Sequence, residues 1–347
     1  MNHIGIDLGG RESQICMRSP QSDILEELRV PTPSLGEHFT AWSKSCIVME
    51  TCAEAFALAD QALSAGHVVK VVPGTLVRAL GVGARGVKTD RKDAQALSLA
   101  SCRVDLASVH VRSSQSRQLQ SRLGMRRNTI ESRTKIINGV RGHLRTNLVR
   151  VRSGSPATFP ARVREALEQR GIPLESWLQR QLELIEFLSK DIAQADKELK
   201  QFAQAHPQAA LLMTVPGVGP ITSLQFVATV DDIGRFRNAH NLESYLGLTP
   251  GQRSSSDKVR MRGVTKAGPS QARLALVQAA WCVLRTQSDS PIGRWAMEIA
   301  GRRGKQIAAV AVARKLAGIL YAMWKHGQPY EPARAAKSIA ARQELRM

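Results

Sequence analysis

The sequence contains 347 residues, of which 43% are hydrophobic and 22% charged, and this balance excludes a disordered tail and a fibrous protein. Its 49 Lys and Arg residues outnumber its 29 Asp and Glu residues, which gives a formal net charge of +20 at pH 7. A charge of this size predicts polyanionic partners, with nucleic acid as the first candidate and an anionic membrane surface as the second.

The cysteines and the apolar runs indicate the cellular compartment. The five cysteines are scattered and form no Cys-x-x-Cys pair, which argues against a disulfide framework and against structural zinc. No uninterrupted apolar run approaches the roughly 20 residues that span a bilayer, and no basic segment precedes a long apolar stretch at the N-terminus. We therefore expect a cytoplasmic protein that neither spans a membrane nor is secreted.

Residues 1–112 have the pattern of an α/β domain. Compact apolar runs bounded by Ser, Gly and Pro predict strands at 4–8, 24–30, 46–49 and 68–72. An Ala- and Leu-rich segment at 53–65 predicts a helix between the last two strands. Thr89 is the expected N-cap of a further helix that begins at Asp90.

Residues 113–205 predict a basic helix followed by a coiled-coil region. The segment 111–152 contains 11 Lys and Arg residues and a single Glu, and its apolar residues recur every three or four positions. These apolar residues are Ile130, Ile137, Val140, Leu144 and Leu148. We expect the arginines of this helix to bind nucleic-acid backbones, and the candidates are Arg126, Arg127, Arg133, Arg141 and Arg145.

A break is predicted at 153–160, SGSPATFP, and a second helix follows it. The apolar residues from Leu178 to Phe202 are spaced almost as heptads, which is typical of an antiparallel hairpin or of an intersubunit coiled coil. An ordinary amphipathic helix that faces a core fits this spacing equally well.

Residues 206–347 predict a mainly helical domain that contains 20 Lys and Arg residues against 8 Asp and Glu residues. A polar, basic loop at 249–268 precedes apolar helices at 271–285 and 305–325. This domain and the basic helix therefore contain the excess positive charge, which we expect to bind nucleic-acid phosphates.

Four carboxylates in the first domain form the first candidate site. Asp7 and Glu50 each end a predicted strand, and Asp90 and Asp93 lie three residues apart, hence on one helix face. Strand ends that open on one edge of a sheet, with a helix docked over them, can gather such acids. A cluster of this kind needs cations, and Mg²⁺, with Mn²⁺ as the second choice, suits both oxygen ligands and phosphodiester chemistry.

Each acid has a simpler interpretation when it is taken alone. Asp7 is then a turn residue, and Asp90 and Asp93 belong to a solvated helix face. The segment IGIDLGG also resembles the first phosphate loop of actin-like sugar kinases. The later glycine motifs lie in the wrong surroundings for that family, and a sugar kinase has no use for a charge of +20.

The second candidate site is the segment 215–219, VPGVG, between apolar helical stretches. It resembles the hairpin of a helix-hairpin-helix element, in which glycines, here Gly217 and Gly219, let backbone N–H groups contact a phosphate. A tight turn between two helices is the alternative.

The third candidate site lies within 245–268, where three serines at 254–256 are surrounded by cations. These cations are Arg253, Lys258, Arg260, Arg262 and Lys266. A basic, serine-rich loop commonly binds phosphate, but a serine beside several cations can also attack a phosphodiester. No Ser/His/Asp triad is legible in the sequence.

Taken in order, the motifs IGIDLG, VMET, KTDRKDA, VPGVGP, YLGLTP, SSS and GVTKAG resemble the DEDD transposases of bacterial insertion sequences. That family includes the Piv-type DNA invertases and the bridge-RNA-guided recombinases. The resemblance covers most of the chain, and KTDRKDA and the LGLTP to TKAG block are its specific motifs.

The resemblance implies a RuvC-like, RNase H-like α/β domain in which Asp7, Glu50, Asp90 and Asp93 bind the metal. It also implies a coiled-coil insertion and a mainly helical C-terminal domain whose nucleophile is Ser255. A member of this family cuts and rejoins donor and target DNA through a phosphoserine link. The implied partners are a structured guide RNA and further copies of the chain, as a dimer or a tetramer, on the bacterial nucleoid.

The sequence departs from the family pattern after the serine pair. Ser256 and Asp257 stand where a glycine is common, so Ser254, Ser255 and Ser256 all remain candidates for the nucleophile. Pro269 follows Gly268 where Asn or Asp is common.

Two other functions remain open from the residues. In a RuvC-like nuclease the four acids would hydrolyse DNA, and the serine segment would only bind it. A non-catalytic relative would bind nucleic acid and yield no DNA product.

Overall fold

The structure is a computed structural model that describes residues 1–79, 89–255 and 258–333. The side chains of residues 78–79 and 252–262 also lie outside the described part. The chain divides into two compact units, residues 1–112 and residues 113–347. The regions predicted at 113–205 and 206–347 thus fall within one unit.

The first unit is built on a five-stranded mixed sheet. In chain order its strands are β1 (Asn2–Asp7), β2 (Glu12–Arg18), β3 (Ile24–Pro31), β4 (Ser45–Glu50) and β5 (Val68–Val72). The spatial order is β3-β2-β1-β4-β5, with β1 parallel to β4 and antiparallel to β2. The mixed sheet confirms the predicted α/β domain at the N-terminus.

Helices cover both faces of this sheet. They are α1 (Leu35–Ala41), α2 (Ala55–Ser64), α3 (Gly74–Ala79) and α4 (Asp90–Arg103). Alternate residues of β4 point to opposite faces, so Ile47 packs in one core with Phe39 of α1 and Leu58 of α2. Val48 packs in the other core with Leu97 of α4.

Three of these helices and strands were not predicted, namely β2, α1 and α3. In β2 the sequence ESQICMR has mostly polar and small residues, so it lacks the β-branched run that marked the other strands. It nevertheless lies between β1 and β3 and pairs with both. The predicted start of α4 is confirmed, since the Thr89 side chain accepts a hydrogen bond from the Lys92 amide.

The second unit begins with two long helices that pack antiparallel. These are α5 (Ser114–Thr146) and α7 (Ser176–Ala205), with the shorter α6 (Phe159–Glu168) between them. Arg126 of α5 contacts Asp196 of α7, while Arg133, two turns later, reaches Ser189. The heptad-like seam therefore belongs to an antiparallel helix pair within one chain.

Three details of the predicted helical region are corrected. The helix α5 ends at Thr146, so Leu148 is not part of its apolar face but is 80% exposed with a positive φ of 59°. The helix is interrupted before and across most of the predicted break at 153–160, but the unpredicted α6 begins within that segment at the fully buried Phe159. Phe202, at the end of the predicted seam, is 38% exposed.

The rest of the second unit is a helical core with one small sheet. Its elements are α8 (Pro207–Leu212), α9 (Pro220–Val230), α10 (Ala239–Tyr245), β6 (Pro250–Ser255), β7 (Lys258–Val264), α11 (Ser270–Thr286), α12 (Pro291–Arg303) and α13 (Lys305–His326). The segment predicted as a basic loop is mostly the antiparallel hairpin of β6 and β7. Within the described residues these strands pair with each other, and β6 (PGQRSS) contains none of the β-branched or aromatic residues that mark a strand in a sequence.

Helix α13 lies at the centre of this core, where Val312, Leu316 and Leu320 are fully buried. By length and composition it is long and apolar enough to cross a membrane, but 56% of its apolar window is buried inside the unit. No uninterrupted apolar run was visible in the sequence because Arg314 and Lys315 interrupt it, and Arg314 pairs with the buried Glu243 of α10.

Candidate functional site

Two of the four predicted acids lie at the ends of neighbouring parallel strands. Asp7 is the last residue of β1 and Glu50 the last residue of β4. Ile6 is in register with Met49, so Asp7 and Glu50 follow at the same level of the sheet. The carboxyl ends of parallel strands meet at one edge, which is where α/β folds commonly bind ligands.

Helix α4 brings the other two acids to the same edge. At Gly5 of β1 a Cβ atom would overlap the carbonyl oxygen of Ala94 and lie 2.5 Å from the amide nitrogen of Ser98. One turn further along α4, Ser101 Oγ is 2.7 Å from Nδ1 of His3. The helix therefore runs antiparallel to β1, and its first turn lies at the carboxyl edge of the sheet.

That first turn carries Asp90 and Asp93, whose environments differ. Asp93 is 3% exposed, whereas Asp90 faces solvent. Both are favourably placed for negative charge, because the N-terminal turn of a helix carries the positive end of its dipole. Asp7 and Glu50 are partly exposed.

A glycine makes room for the carboxylate of Glu50. A Cβ atom at Gly74, the first residue of α3, would overlap Oε1 of Glu50. The carboxylate thus lies directly against the N-terminus of α3. Sequence reasoning did not identify Gly74, because nothing in the sequence indicates that this turn approaches an acid.

The four acids share an edge but do not form a closed ligand set. In the described ranges 1–79, 89–255 and 258–333, no three His, Cys, Asp or Glu side chains lie in a group that could hold a metal ion. Their chemistry nevertheless fits a hard divalent cation, because all four are carboxylates and one of them is buried.

Glu27 of β3 links the sheet to the first turns of α4 and was not predicted as a site residue. Its carboxylate accepts hydrogen bonds from Arg91 and, at 2.7 Å, from the amide of Gln95. These two hydrogen bonds, with the Arg91 charge, hold the pKa of Glu27 below its ordinary value. Arg91 is therefore paired with a carboxylate of the protein.

The predicted nucleophile lies at the end of a strand in the second unit. Ser255 is the last residue of β6, and its backbone is in register with Lys258, the first residue of β7. Arg253 is in register with Arg260. Ser256 and Asp257 lie outside the described residues, as do the side chains of Arg253, Lys258, Arg260 and Arg262.

The base of this hairpin is fixed by close backbone contacts. Gly247 has φ +67° and Gly268 φ +83°, and a Cβ atom would overlap the carbonyl oxygen of Ala267 at the first and of Tyr245 at the second. From α11, Arg273 donates to the carbonyl oxygens of Leu246 at 2.8 Å and of Ala267 at 3.2 Å. The two motifs YLGLTP and TKAG therefore meet at one place.

Lys266 belongs to this base. It has a positive φ of 55°, its amide donates to the carbonyl oxygen of Gly247, and the residue is exposed. Its backbone is thus part of the fold, while its exposed side chain remains a candidate for contact with phosphate.

The segment 215–219 is a turn between α8 and α9. Gly217 has φ +84°, and a Cβ atom there would lie 2.7 Å from Cγ2 of Val283 and 2.8 Å from the carbonyl oxygen of Ala279, both on α11. Packing against α11 therefore accounts for Gly217. Gly219 is exposed, with open space around its Cα, so the turn leaves room for a phosphate there and not at Gly217.

Two of the five predicted arginines of α5 bind α7. Arg126 pairs with Asp196 at 2.5 Å, and Arg133 donates to the Ser189 hydroxyl at 3.1 Å. Burial between the helices lowers the pKa of Arg133. Both side chains contribute to the helix pair.

The other three arginines are held less firmly. Arg127 lies 3.6 Å from Glu131 on the same helix. Arg141 is exposed, with its guanidinium 5.1 Å from the ring centre of Phe159. Arg145 is also exposed, and neither an ion pair nor a side-chain hydrogen bond holds it in the described chain. Arg145 and Arg141 therefore best fit a contact with nucleic acid.

The sequence matches two family models. Residues 4–147 match a transposase model of the DEDD type found with IS110, and residues 209–292 match the transposase model of the IS116/IS110/IS902 family. The first match contains all four acids, and the second contains the serine hairpin and its base.

Similar proteins support the same assignment along almost the whole chain. One is the transposase for insertion sequence element IS1111A from Coxiella burnetii, 28% identical over 94% of this chain and 90% of its own length. Another is a probable family 20 transposase from Pseudomonas aeruginosa, 26% identical over 96% of this chain and 99% of its own length. A pilin gene-inverting protein from Moraxella lacunata is 30% identical over 41% of this chain and 46% of its own length.

Proposed function

Because the chain belongs to the IS116/IS110/IS902 family of transposases, enzymes that cut and join DNA, we propose a serine mechanism for its strand exchange. Ser255 attacks a DNA phosphodiester, with Asp7, Glu50, Asp90 and Asp93 as the metal-binding acids. The antiparallel docking of α4 on β1 is the observation that carries this proposal, because it unites acids from distant parts of the sequence.

The covalent step exchanges one phosphate ester for another. The Oγ atom of Ser255 forms a bond to phosphorus while the bond from phosphorus to one deoxyribose oxygen breaks. The serine proton is transferred to that leaving oxygen, which becomes a free hydroxyl. Attack by a hydroxyl of the second DNA strand reverses these changes and returns the proton to the serine. No net oxidation or hydrolysis is needed.

The four acids would hold Mg²⁺, or Mn²⁺ as the second choice. When bound, the ion supplies charge stabilisation at the reacting phosphate. The buried Asp93 and the strand-end acids Asp7 and Glu50 are suited to hold it because the sheet and α4 fix their backbones. Exposed cations, Lys266 among them, would bind the flanking phosphates.

The partners of the reaction are also part of the proposal. Donor and target DNA would be paired by a structured guide RNA, and the active form would be a dimer or tetramer of this chain on the bacterial nucleoid. The similarity to a pilin gene-inverting protein supports strand rejoining as well as cutting. The net charge of +20 fits several nucleic-acid strands bound at once.

The decisive experiment compares three serine variants on DNA that contains the native flanks of the gene. Ser255→Ala should abolish strand exchange and the covalent protein–DNA adduct while leaving DNA binding intact. Ser254→Ala and Ser256→Ala are the matched controls and should retain the adduct. Full exchange by the Ser255→Ala protein would refute the assignment, and cut ends without any adduct would favour the metal-dependent nuclease.

The acids are tested separately by Asp93→Asn. This change keeps the shape of the side chain but removes a metal-binding charge, so we expect strand exchange to fall by at least about a hundredfold. Thermal unfolding with and without Mg²⁺ gives a second readout, in which the stabilisation by Mg²⁺ should be smaller than in the wild type. A variant with wild-type exchange and wild-type stabilisation would remove Asp93 from the metal site.

The guide RNA is tested by purifying the protein after expression with its flanking DNA and sequencing the bound RNA. A discrete RNA that maps to the flank supports guided recombination. Scattered cellular RNA would contradict the guide and would favour direct reading of DNA by the protein.

A further inference from the structure

The turn between α12 and α13 presents an exposed group of cations. Arg302 and Arg303 end α12, Gly304 makes the turn with φ +86°, and Lys305 begins α13. All residues from 301 to 307 are exposed. In the part of the chain that the structure describes, no ion pair or side-chain hydrogen bond holds any of the three cations.

Local charge does not neutralise this turn. Helices α12 and α13 together contain seven Lys and Arg residues and one acid, Glu298. Of the seven, Arg314 is already paired with Glu243, and Lys315 is buried in the core. The cations of the turn therefore project their charge into solvent.

Helix stability explains only part of this arrangement. Arg302 and Arg303 lie at the C-terminus of α12, where the helix dipole favours positive charge. Lys305 lies in the first turn of α13, where the dipole disfavours it, and no acid in that turn offsets it. A positive charge retained at an unfavourable position points to an external anion.

The turn is also firmly held. Ala296 of α12 and Ala308 of α13 are fully buried on either side of it, and Ala309 is 1% exposed. Cations on a fixed backbone lose less freedom on binding than cations on a loose loop. The cations of the turn also remain available to an external anion, whereas the guanidinium groups of Arg126 and Arg133 on α5 are bound to side chains of α7.

We propose that Arg302, Arg303 and Lys305 form a second binding surface for the phosphodiester backbone of nucleic acid, separate from the serine hairpin. The surface lies outside both matched segments, 4–147 and 209–292. The inference rests on the proposed action on nucleic acid and adds a place where a strand is held. Contacts with phosphate position a strand and carry no direct sequence information.

The test replaces all three cations in the full chain, as Arg302→Gln with Arg303→Gln and Lys305→Gln. Binding is measured over a salt series with a short DNA duplex of unrelated sequence and with a structured RNA. The matched control removes the same net charge from exposed lysines of α7, as Lys190→Gln with Lys197→Gln and Lys200→Gln. Circular dichroism checks that both proteins remain folded, which is expected because Gln has nearly the helix propensity of Lys and Arg.

We expect the α12–α13 variant to bind on the order of tenfold more weakly. The slope of log affinity against log salt should fall by about 0.9 for each duplex phosphate contact that is lost. The control should keep the wild-type slope. A loss with DNA alone, RNA alone or both supports the surface and identifies the strand that it holds.

Three results would overturn the inference. The first is a wild-type slope in the α12–α13 variant, and the second is an equal change in the α7 control, which would reflect net charge only. The third is unchanged nucleic-acid binding with a loss of self-association, which would make the turn a protein contact. If the wild-type protein binds neither DNA nor RNA at low salt, the proposed function itself fails, which is a different outcome.

Discussion

The acids of the first unit and the serine of the second are held in different ways. Asp7 and Glu50 end strands of a sheet that has a core on each face, and Gly5 brings the backbone of α4, which contains the buried Asp93, against β1. Ser255 is the last residue of β6 in a two-stranded hairpin, and close backbone contacts at Gly247 and Gly268 fix the base of that hairpin. Changes near the acids should therefore affect stability and activity together, whereas changes at the hairpin base should affect activity more than stability.

The largest expected effect is that of Gly5→Ala. The added Cβ would overlap backbone atoms of α4, which cannot move aside without shifting the helix, so we expect a loss of at least about 3 kcal/mol in the free energy of unfolding of the first unit. Hydrogen exchange should show loss of protection within residues 1–112, and strand exchange should be abolished. Gly10→Ala is the control, because Gly10 is exposed with open space around it. Retained protection in the Gly5→Ala protein would contradict the close docking of α4.

The second effect is that of Gly247→Ala. This glycine has a positive φ and a Cβ atom would overlap the carbonyl oxygen of Ala267, so the base of the hairpin must shift. The cost should be about 2 kcal/mol, and strand exchange should be lost while the helical core of the second unit keeps its protection. Gly263→Ala, in the same hairpin with open space, should be nearly neutral. If the core unfolds as well, the hairpin base is not a separate local element.

A smaller effect is expected for Arg273→Lys. Lysine keeps the charge, but its shorter side chain lacks the fixed, planar arrangement of donors that directs Arg273 to the carbonyl oxygens of Leu246 and Ala267. The loss should be about 1 kcal/mol in unfolding free energy. Strand exchange should fall several-fold with DNA binding unchanged. Arg285→Lys on the same helix is the comparison, since its bond to the Trp281 carbonyl is exposed. Equal effects of the two changes would remove Arg273 from the anchoring of the hairpin.

The smallest effect is expected for Glu27→Gln, and it depends on pH. The pKa of Glu27 is lowered by its bonds to Arg91 and Gln95, so its contribution is fully present above the pKa of an unfolded Glu, about 4.3. The contribution is lost as the pH falls through the lower pKa of the folded protein. Unfolding measured at pH 7 should show the variant slightly less stable than wild type, and the gap should close in acid. A difference in stability that persists below the pKa of folded Glu27 would contradict the ion pair as its cause. Glu12→Gln is the control, because its partner Arg29 is largely exposed, and it should show almost no difference from wild type.

The sequence predicted those elements whose pattern is set by burial. The strands at 46–49 and 68–72 are β-branched runs, and the structure places β4 and β5 there, within one residue at each end of β4 and with matching bounds for β5. The Thr89 cap was equally legible, because a capping side chain acts within one turn of its own position. The hairpin at 250–264 was not, since β6 (PGQRSS) contains no β-branched or aromatic residue that would mark it as a strand.

For this protein the sequence alone determined the identity of the chemical groups, their order and the sign of the charge. The ordered motifs, above all KTDRKDA and the LGLTP to TKAG block, indicated the family by resemblance, because such motifs consist of residue identities. Only the tertiary structure decided which cations are paired with another side chain of the protein. Arg126 is held by Asp196 some seventy residues later in the chain, whereas Arg302 remains exposed. A charge is a property of one residue, but its partner is set by packing between segments that are distant in sequence, and no local pattern encodes that contact.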